Sequence, residues 1–353
     1  MRAFVHDLAA PRVVFGVGRL ASLPDEAARL GLARILVVST PGQRALGERI
    51  AGLLGNMAAG VHANARMHVP ADVAAAALAD ARERNADGVV AIGGGSAIGL
   101  GKMIARDGGL PLLALPTTYS GSEMTALWGV TADGIKSTGT DPKVMPRTVI
   151  YDPELTIALP PAVSATSGMN AIAHAVEALY AAEATPLTDL MAEQGIAALA
   201  CGLPRVMADP TDVAARGDAL YGAWLCAAPL GAVNLALHHK LCHTLGGTFD
   251  LPHAEVHTVV LPHATAYNAK AAPEAMRRIA SALNAEDAAG GLFDLAKDLG
   301  APTALRELGM PEDGLDKAAD LAVAKPYPNP APLTRAAIRA LLENAYHGKR
   351  PGA

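Results

Sequence analysis

The feature that most constrains the fold of this chain is a change of hydrophobic rhythm near Asp152-Pro153. Before it, short apolar runs rich in β-branched residues alternate with segments of helical period. Arg34–Ser39 (RILVVS), Gly88–Ile92 (GVVAI) and Leu110–Leu115 (LPLLAL) read as buried strands. Ala71–Asn85 and Ala97–Ala105 read as helices between them, and Thr40-Pro41-Gly42 as a turn. Such alternation predicts a parallel sheet flanked by helices. Beyond residues 153–160 the strand signals vanish, and Pro161 to His347 reads as helix broken by Gly and Pro. The expectation is an α/β domain over residues 1–155 and an all-helical domain over 156–353.

Composition narrows the partners. A length of 353 residues suits two domains, and 51% hydrophobic with 18% charged residues describes a soluble protein with a large core. Aromatics make up only 4%, so that core is built mostly from Ala, Leu, Val and Ile. A net charge of −5 without any basic block argues against nucleic acid. Cys201, Cys226 and Cys242 show no CxxC spacing, so a disulfide scaffold is not expected and the reducing cytoplasm is the default compartment. The start, MRAFVHDLAAPRVVFG, lacks the pattern of a signal peptide. Ala219–Leu237 is apolar enough to raise a membrane span, but Pro229, Asn234 and its small residues favour a buried core helix.

Two loops carry the signs of a nucleotide site. Gly93-Gly94-Gly95-Ser96 follows a strand and opens a helix, where glycines permit close approach of backbone to phosphate and the helix terminus offers free N–H donors. Its spacing is not that of the usual GxGxxG fingerprint. The second loop, Pro116-Thr117-Thr118-Tyr119-Ser120-Gly121-Ser122-Glu123, also follows a buried strand, and its hydroxyls suit a ribose, a diphosphate or a carboxylate. Ser120 or Ser122 could equally serve as a helix cap. Two such loops at neighbouring strand ends favour a dinucleotide lying across them.

The histidines are distributed unevenly. Six of the chain's eleven lie in His238–His263, HHKLCHTLGGTFDLPHAEVHTVVLPH. His239 and His243 fall one turn apart on a helix face, and Asn170 and His174 repeat that spacing upstream. A Gly-Gly break and a Pro precede His253, so the chain can return toward them. The convergence reads as either a metal site or a set of proton donors. His62, His68 and His347 read as structural.

These segments together resemble the iron-containing alcohol dehydrogenase superfamily: GGGS, the PTTYSGSE loop, the Asp-Pro after the last strand and the histidine segment. The resemblance spans the chain and implies a dinucleotide-binding α/β domain followed by a helical catalytic domain. In that superfamily a divalent metal is held by an Asp, a His one turn later, and two His fourteen residues apart. The histidines map onto His174, His239 and His253, but the Asp maps onto Asn170. The usual GGGSxxDxxK loop likewise has Gly99 in place of its Asp, with Lys102 kept. Both departures, with PHAEVHTVVLPH at 252–263, resemble the branch that reduces the C=C bond of maleylacetate to 3-oxoadipate in aromatic-compound degradation.

What this implies is an NADH- or NADPH-dependent oxidoreductase, with no metal expected, since a neutral amide binds a divalent ion more weakly than a carboxylate. A metal-dependent alcohol dehydrogenase and a lyase similar to dehydroquinate synthase are the competing readings. Thr40 and Pro41 stand where the superfamily often places an Asp against the adenine ribose, so NADPH should be tolerated. Lys136 matches a superfamily lysine near the cofactor. His243 and His253 are expected to act as oxyanion donor and general acid, with His174, His239 and Asn170 completing the donor ring. Tyr119, Ser122 and Lys240 are candidates for the substrate carboxylates. The expected partners are a small dicarboxylate and, by resemblance, a second copy of the chain; nucleic acid and membrane are not.

Overall fold

The computed structural model of the protein describes residues 4–6, 10–132 and 135–352. The chain divides into two units, one over residues 10–159 and one from Pro160 onward. The N-terminal residues 4–6 belong with the second unit, where the His6 ring nitrogen Nδ1 lies 3.2 Å from the Thr185 hydroxyl. Sequence had placed them in the α/β half.

The first unit contains strands β1 (Arg12–Phe15), β2 (Ile35–Val38), β3 (Ala58–His62), β4 (Gly88–Gly93), β5 (Leu112–Pro116), β6 (Leu127–Ala132), β7 (Ile135–Thr140) and β8 (Thr148–Tyr151). Its helices are α1 (Leu23–Arg29), α2 (Arg44–Leu54), α3 (Ala71–Glu83) and α4 (Gly95–Gly108). Six strands form a parallel sheet in the order β1-β8-β5-β4-β2-β3. Its central strands are apolar at nearly every position because helices cover both faces. Along β2 the faces alternate. Leu36 and Val38 pack with Ala77 and Ile104 of α3 and α4, while Ile35 and Val37 pack with Leu23 and Ile50 of α1 and α2.

Sequence reading missed several elements. The antiparallel hairpin β6–β7 is partly exposed: Trp128 and Val130 of β6 turn to the core, but the run is short and β7 (IKSTGT) is polar, so the hydrophobic signal is weak. It is fixed by the guanidinium of Arg106, 4.1 Å over the Trp128 ring, and by that ring packing on Gly139. Helix α4 begins at Gly95, two residues earlier than expected, and so takes in half of the glycine loop.

The second unit is helical: α5 (Pro161–Tyr180), α6 (Pro186–Ala208), α7 (Val213–Ala227), α8 (Leu237–Phe249), α9 (His253–Asn268), α10 (Pro273–Leu283), α11 (Ala288–Asp298), α12 (Gly314–Val323) and α13 (Arg335–His347). Every residue of α5 from Ser164 to Leu179 is buried, which makes it the central helix. The apolar stretch 219–237 is not one helix. Helix α7 stops at Ala227, a 3₁₀ turn spans Ala228–Gly231 around Pro229, and α8 starts at Leu237. Among the described residues no helix is long and apolar enough to cross a membrane.

Helices α6 and α7 meet backbone to backbone through glycines. A Cβ added at Gly222 would lie 2.8 Å from Leu199 Cγ and 2.9 Å from the Gly195 carbonyl oxygen. Gly195 and Gly202 are equally closed by Cys226 and Ala219. Gly222→Val should therefore destabilise the protein by about 1–3 kcal/mol, the cost of overpacking a closed contact. Urea denaturation would show this as a lowered midpoint; an unchanged midpoint would mean the helices can part freely.

Candidate active site

In the α/β unit the strand order reverses between β2 and β4: β2 leads outward to β3, whereas β4 leads the other way to β5. Helices α2 and α4 leave on opposite faces, opening a crevice at the C-terminal ends of the two strands, where open α/β sheets receive ligands. Thr40 caps a 3₁₀ turn, Pro41–Gln43, on one side of it. Gly93 and Gly94 lie on the other, with Gly95 and Ser96 in the first turn of α4. Gln43 links the loops, donating to Thr117 Oγ1 at 3.0 Å and accepting from Thr40 Oγ1 at 3.3 Å. Gly93 holds φ at 143°, and a Cβ there would stand 2.7 Å from Gln43 Oε1. At Gly94 it would meet the Thr118 methyl at 2.9 Å, whereas Gly95 faces only Ser120, 3.9 Å away. The backbone is thus bare where a diphosphate would approach the α4 N-terminus.

The second loop is anchored from beneath. Lys102, buried in α4, directs its ammonium to the Thr125 carbonyl (2.8 Å), Thr125 Oγ1 (3.0 Å) and the Leu127 carbonyl (2.7 Å). Burial lowers its pKa to about 7, against the pull of Glu123. Glu123 is fully enclosed and accepts from the Tyr151 hydroxyl at 2.8 Å; burial raises its pKa. Ser120 turns its hydroxyl toward Glu123 at 3.5 Å and caps no helix. At Gly99 an added Cβ would stand 2.8 Å from Val69 Cγ2, so the packing leaves no room for the superfamily Asp.

In the helical unit, α5, α8 and α9 assemble one cluster of six imidazoles. Ring centroids lie 5.1 Å apart for His174 and His239, 4.9 Å for His239 and His257, 4.9 Å for His238 and His257, and 4.3 Å for His253 and His257. His243 joins at 6.3 Å from His239 and 6.5 Å from His253. The cluster is graded: His243 and His253 are exposed, whereas His174, His238, His239 and His257 are buried. Burial, reinforced by the neighbouring imidazoles, holds His174, His238 and His257 well below the usual histidine range.

Four buried atoms here find no partner in the protein: Asn170 Oδ1, His174 Nδ1, His239 Nε2 and His257 Nε2. Buried polar atoms are normally paired, so this concentration marks a place that receives a polar ligand. A buried carboxylate, Glu177, sits beside them. It accepts backbone N–H groups of Ala236 (2.9 Å) and His238 (2.8 Å) and pairs with His239 Nδ1 at 2.8 Å.

The superfamily metal fits these residues poorly. Asn170, His174, His239 and His253 are neutral donors, and Glu177 is already engaged by N–H groups. The trio whose ligand atoms gather within 4.8 Å among the described residues is a different one, His238, Cys242 and His257. There His238 Nε2 is already hydrogen-bonded to His257 Nδ1 at 3.0 Å. Burial and the charge of Glu177 raise the Cys242 thiol well above its usual pKa, which opposes the thiolate a metal would need.

The structure therefore brings together His174, His239, His243 and His253, with Asn170 one turn before His174 on α5. It adds His238, His257 and Glu177, which sequence reading missed. Glu177 had a signal, since it follows Asn170 by seven residues and His174 by three on one helix face. His263 is buried, its pKa lowered to about 4 by burial. Tyr119 is fully enclosed, so it has no surface to offer a substrate and its candidacy is withdrawn. Ser122 opens a 3₁₀ turn of the α/β unit, and Lys240 is half-buried on α8. Lys136 is on strand β7 opposite Thr131, exposed, and not in a loop. His62 and His347 each bond a carboxylate, Asp80 and Glu343, as structural histidines do.

The fold and site define a class. Residues 10–153 match the iron-containing alcohol dehydrogenase model and residues 164–346 match its C-terminal model. The chain belongs to the iron-containing alcohol dehydrogenase family. Within it, the chain is 58% identical to maleylacetate reductase of Burkholderia cepacia, over 99% of this chain and 100% of that protein. It superposes on the crystal structure of maleylacetate reductase from Agrobacterium tumefaciens with a TM-score of 0.97 at 50% identity, covering 99% of this chain and 100% of that one. For the enzyme from Rhizobium sp. strain MTP-10005 the TM-score is 0.96 at 49% identity, with 99% and 100% covered.

Replacing Lys102 tests the loop anchor. Lys102→Met should cost about 1–3 kcal/mol, because the Thr125 carbonyl stays buried without a donor. Thermal denaturation reads the loss, and wild-type stability in the variant would contradict the anchoring role.

Proposed function

We propose that the histidine cluster reduces the C=C bond of maleylacetate to 3-oxoadipate, with NADH or NADPH as reductant and without a catalytic metal. The reading is carried by the full-length likeness to maleylacetate reductases, and the donor set agrees with it. The loops after β2 and β4 would hold the nicotinamide cofactor, which when reduced would supply the hydride for the alkene carbon nearer the terminal carboxylate. Negative charge then develops on the ketone oxygen as the enolate forms. The task of the protein is to stabilise that oxygen and return one proton to the adjacent carbon. Imidazole N–H groups supply hydrogen bonds for the first step in place of a Lewis acid. The exposed pair His243 and His253 can exchange protons with solvent, which suits them to the second. His174, His239 and Asn170 line the buried side, and Ser122 and Lys240 remain candidates for the substrate carboxylates.

The cofactor preference follows from the end of β2. Ser39-Thr40-Pro41-Gly42-Gln43 carries no carboxylate to repel a 2′-phosphate, so NADPH is accepted beside NADH. Three free cysteines, one of them exposed, suit the reducing cytoplasm. Pairing into a homodimer rests on resemblance to the superfamily.

The test is loss of nicotinamide absorbance on adding maleylacetate to chelator-treated, metal-checked protein. Turnover at the untreated rate is expected. No turnover, with activity restored by iron or zinc, would return the chain to the metal-dependent alcohol dehydrogenases. Asn170→Asp probes the same claim from the other side. It should create metal binding, read by elemental analysis, and slow reduction by at least about tenfold, as changes at a site's supporting shell do. Neither effect would mean that the Asn170 amide is not what sets this site apart.

A further inference from the structure

The buried carboxylate at the cluster takes no direct part in the hydride or proton transfer. Glu177 lies in the last turns of α5 with none of its surface exposed. Such a group is costly to enclose unless donors surround it. Four do: the N–H groups of Ala236 and His238, His239 Nδ1, and the Tyr180 hydroxyl at 3.4 Å.

Two of these bonds set a helix and one sets a ring. Ala236 is the N-cap of α8, and no side chain of its own caps that helix. Glu177 reaches across from α5 to take the free N–H groups of the α8 first turn, where a negative charge is favoured. Helix α8 carries His238, His239 and His243, so one carboxylate places three members of the cluster. The bond to His239 Nδ1 fixes that ring's rotation and keeps a proton on Nδ1, as carboxylate partners of functional histidines do. Nε2 is then the nitrogen left to meet a ligand, and it is one of the unpartnered buried atoms at the site.

We propose that Glu177 is the positioning residue of this active site: it holds the Nδ1–H of His239 and, as the anion beside the ring, supports a second proton on Nε2, which donates to the ketone oxygen of the substrate. This rests on the reading that the histidine cluster reduces maleylacetate. The alternative is a carboxylate that only caps a helix. In that case its loss would lower stability but leave the turnover of each folded molecule unchanged.

The two roles separate in a double-mutant cycle. Glu177→Gln should lower kcat on the order of 10- to 100-fold with little change in KM for maleylacetate. His239→Asn should be at least as slow, and the double variant no slower than His239→Asn alone, because the first change acts through the second residue. A second measurement needs no Glu177 variant to fold. In wild-type protein with isotope-labelled histidine nitrogens, the resonance lost in His239→Asn should report a proton on Nδ1. A proton on Nε2 with Nδ1 bare would overturn the proposal, as would a Glu177→Gln enzyme of normal kcat beside a slow His239→Asn. If His239→Asn keeps wild-type turnover, the assignment of the reaction to this cluster falls as well.

Discussion

A carboxylate with no surface in water is the interaction on which the helical unit is arranged. Glu177 is tolerated because backbone N–H groups, a tyrosine hydroxyl and one imidazole all turn toward it. That arrangement requires α5 to be central and α8 to start where it does. The α6–α7 layer, closed through Gly195, Gly202 and Gly222, packs on α5 and keeps it enclosed. Moving α5 by even part of a turn would strip the carboxylate of its donors and leave a buried charge uncompensated.

Three of the cluster's rings, His174, His238 and His257, lie deeper than the pair that meets solvent. Histidines this close repel one another once charged, and burial opposes their charge further, so these three are held well below the usual histidine range. Neutral imidazoles and an amide offer hydrogen bonds, not the anionic ligands that a divalent ion favours. A developing enolate oxygen asks for hydrogen bonds. The substitution of Asn170 for an acidic residue is therefore one part of a wider change in which the site's only buried carboxylate among the described residues is turned to organising the protein.

Much of this was legible in the sequence, for reasons that can be located. The parallel strands are continuous apolar runs because both faces are covered, so RILVVS and GVVAI were plain. The i, i+4 pairs Asn170/His174 and His239/His243 were equally plain, since helical spacing alone brings them together. The hairpin β6–β7 was not, because only Trp128 and Val130 of β6 alternate toward the core and β7 is polar, too short a rhythm to stand out. The apolar stretch through Pro229 misled in the other direction, as a break inside a buried segment leaves its hydrophobicity intact. Glu177 was passed over because a lone acidic residue in a helix usually faces water. Only the tertiary structure shows this one enclosed by donors from α8. Tyr119 erred in the opposite sense, since a residue in a functional loop can still point into the core.

The central claim is that a ketone is received by this cluster through hydrogen bonds. A crystal structure with NAD⁺ and the product 3-oxoadipate tests it most directly. The account predicts the ketone oxygen within hydrogen-bond distance of His239 Nε2, with Nδ1 still on Glu177 and no metal ion between them. A ketone bound away from the histidines, or reached only through a metal ion, would contradict it.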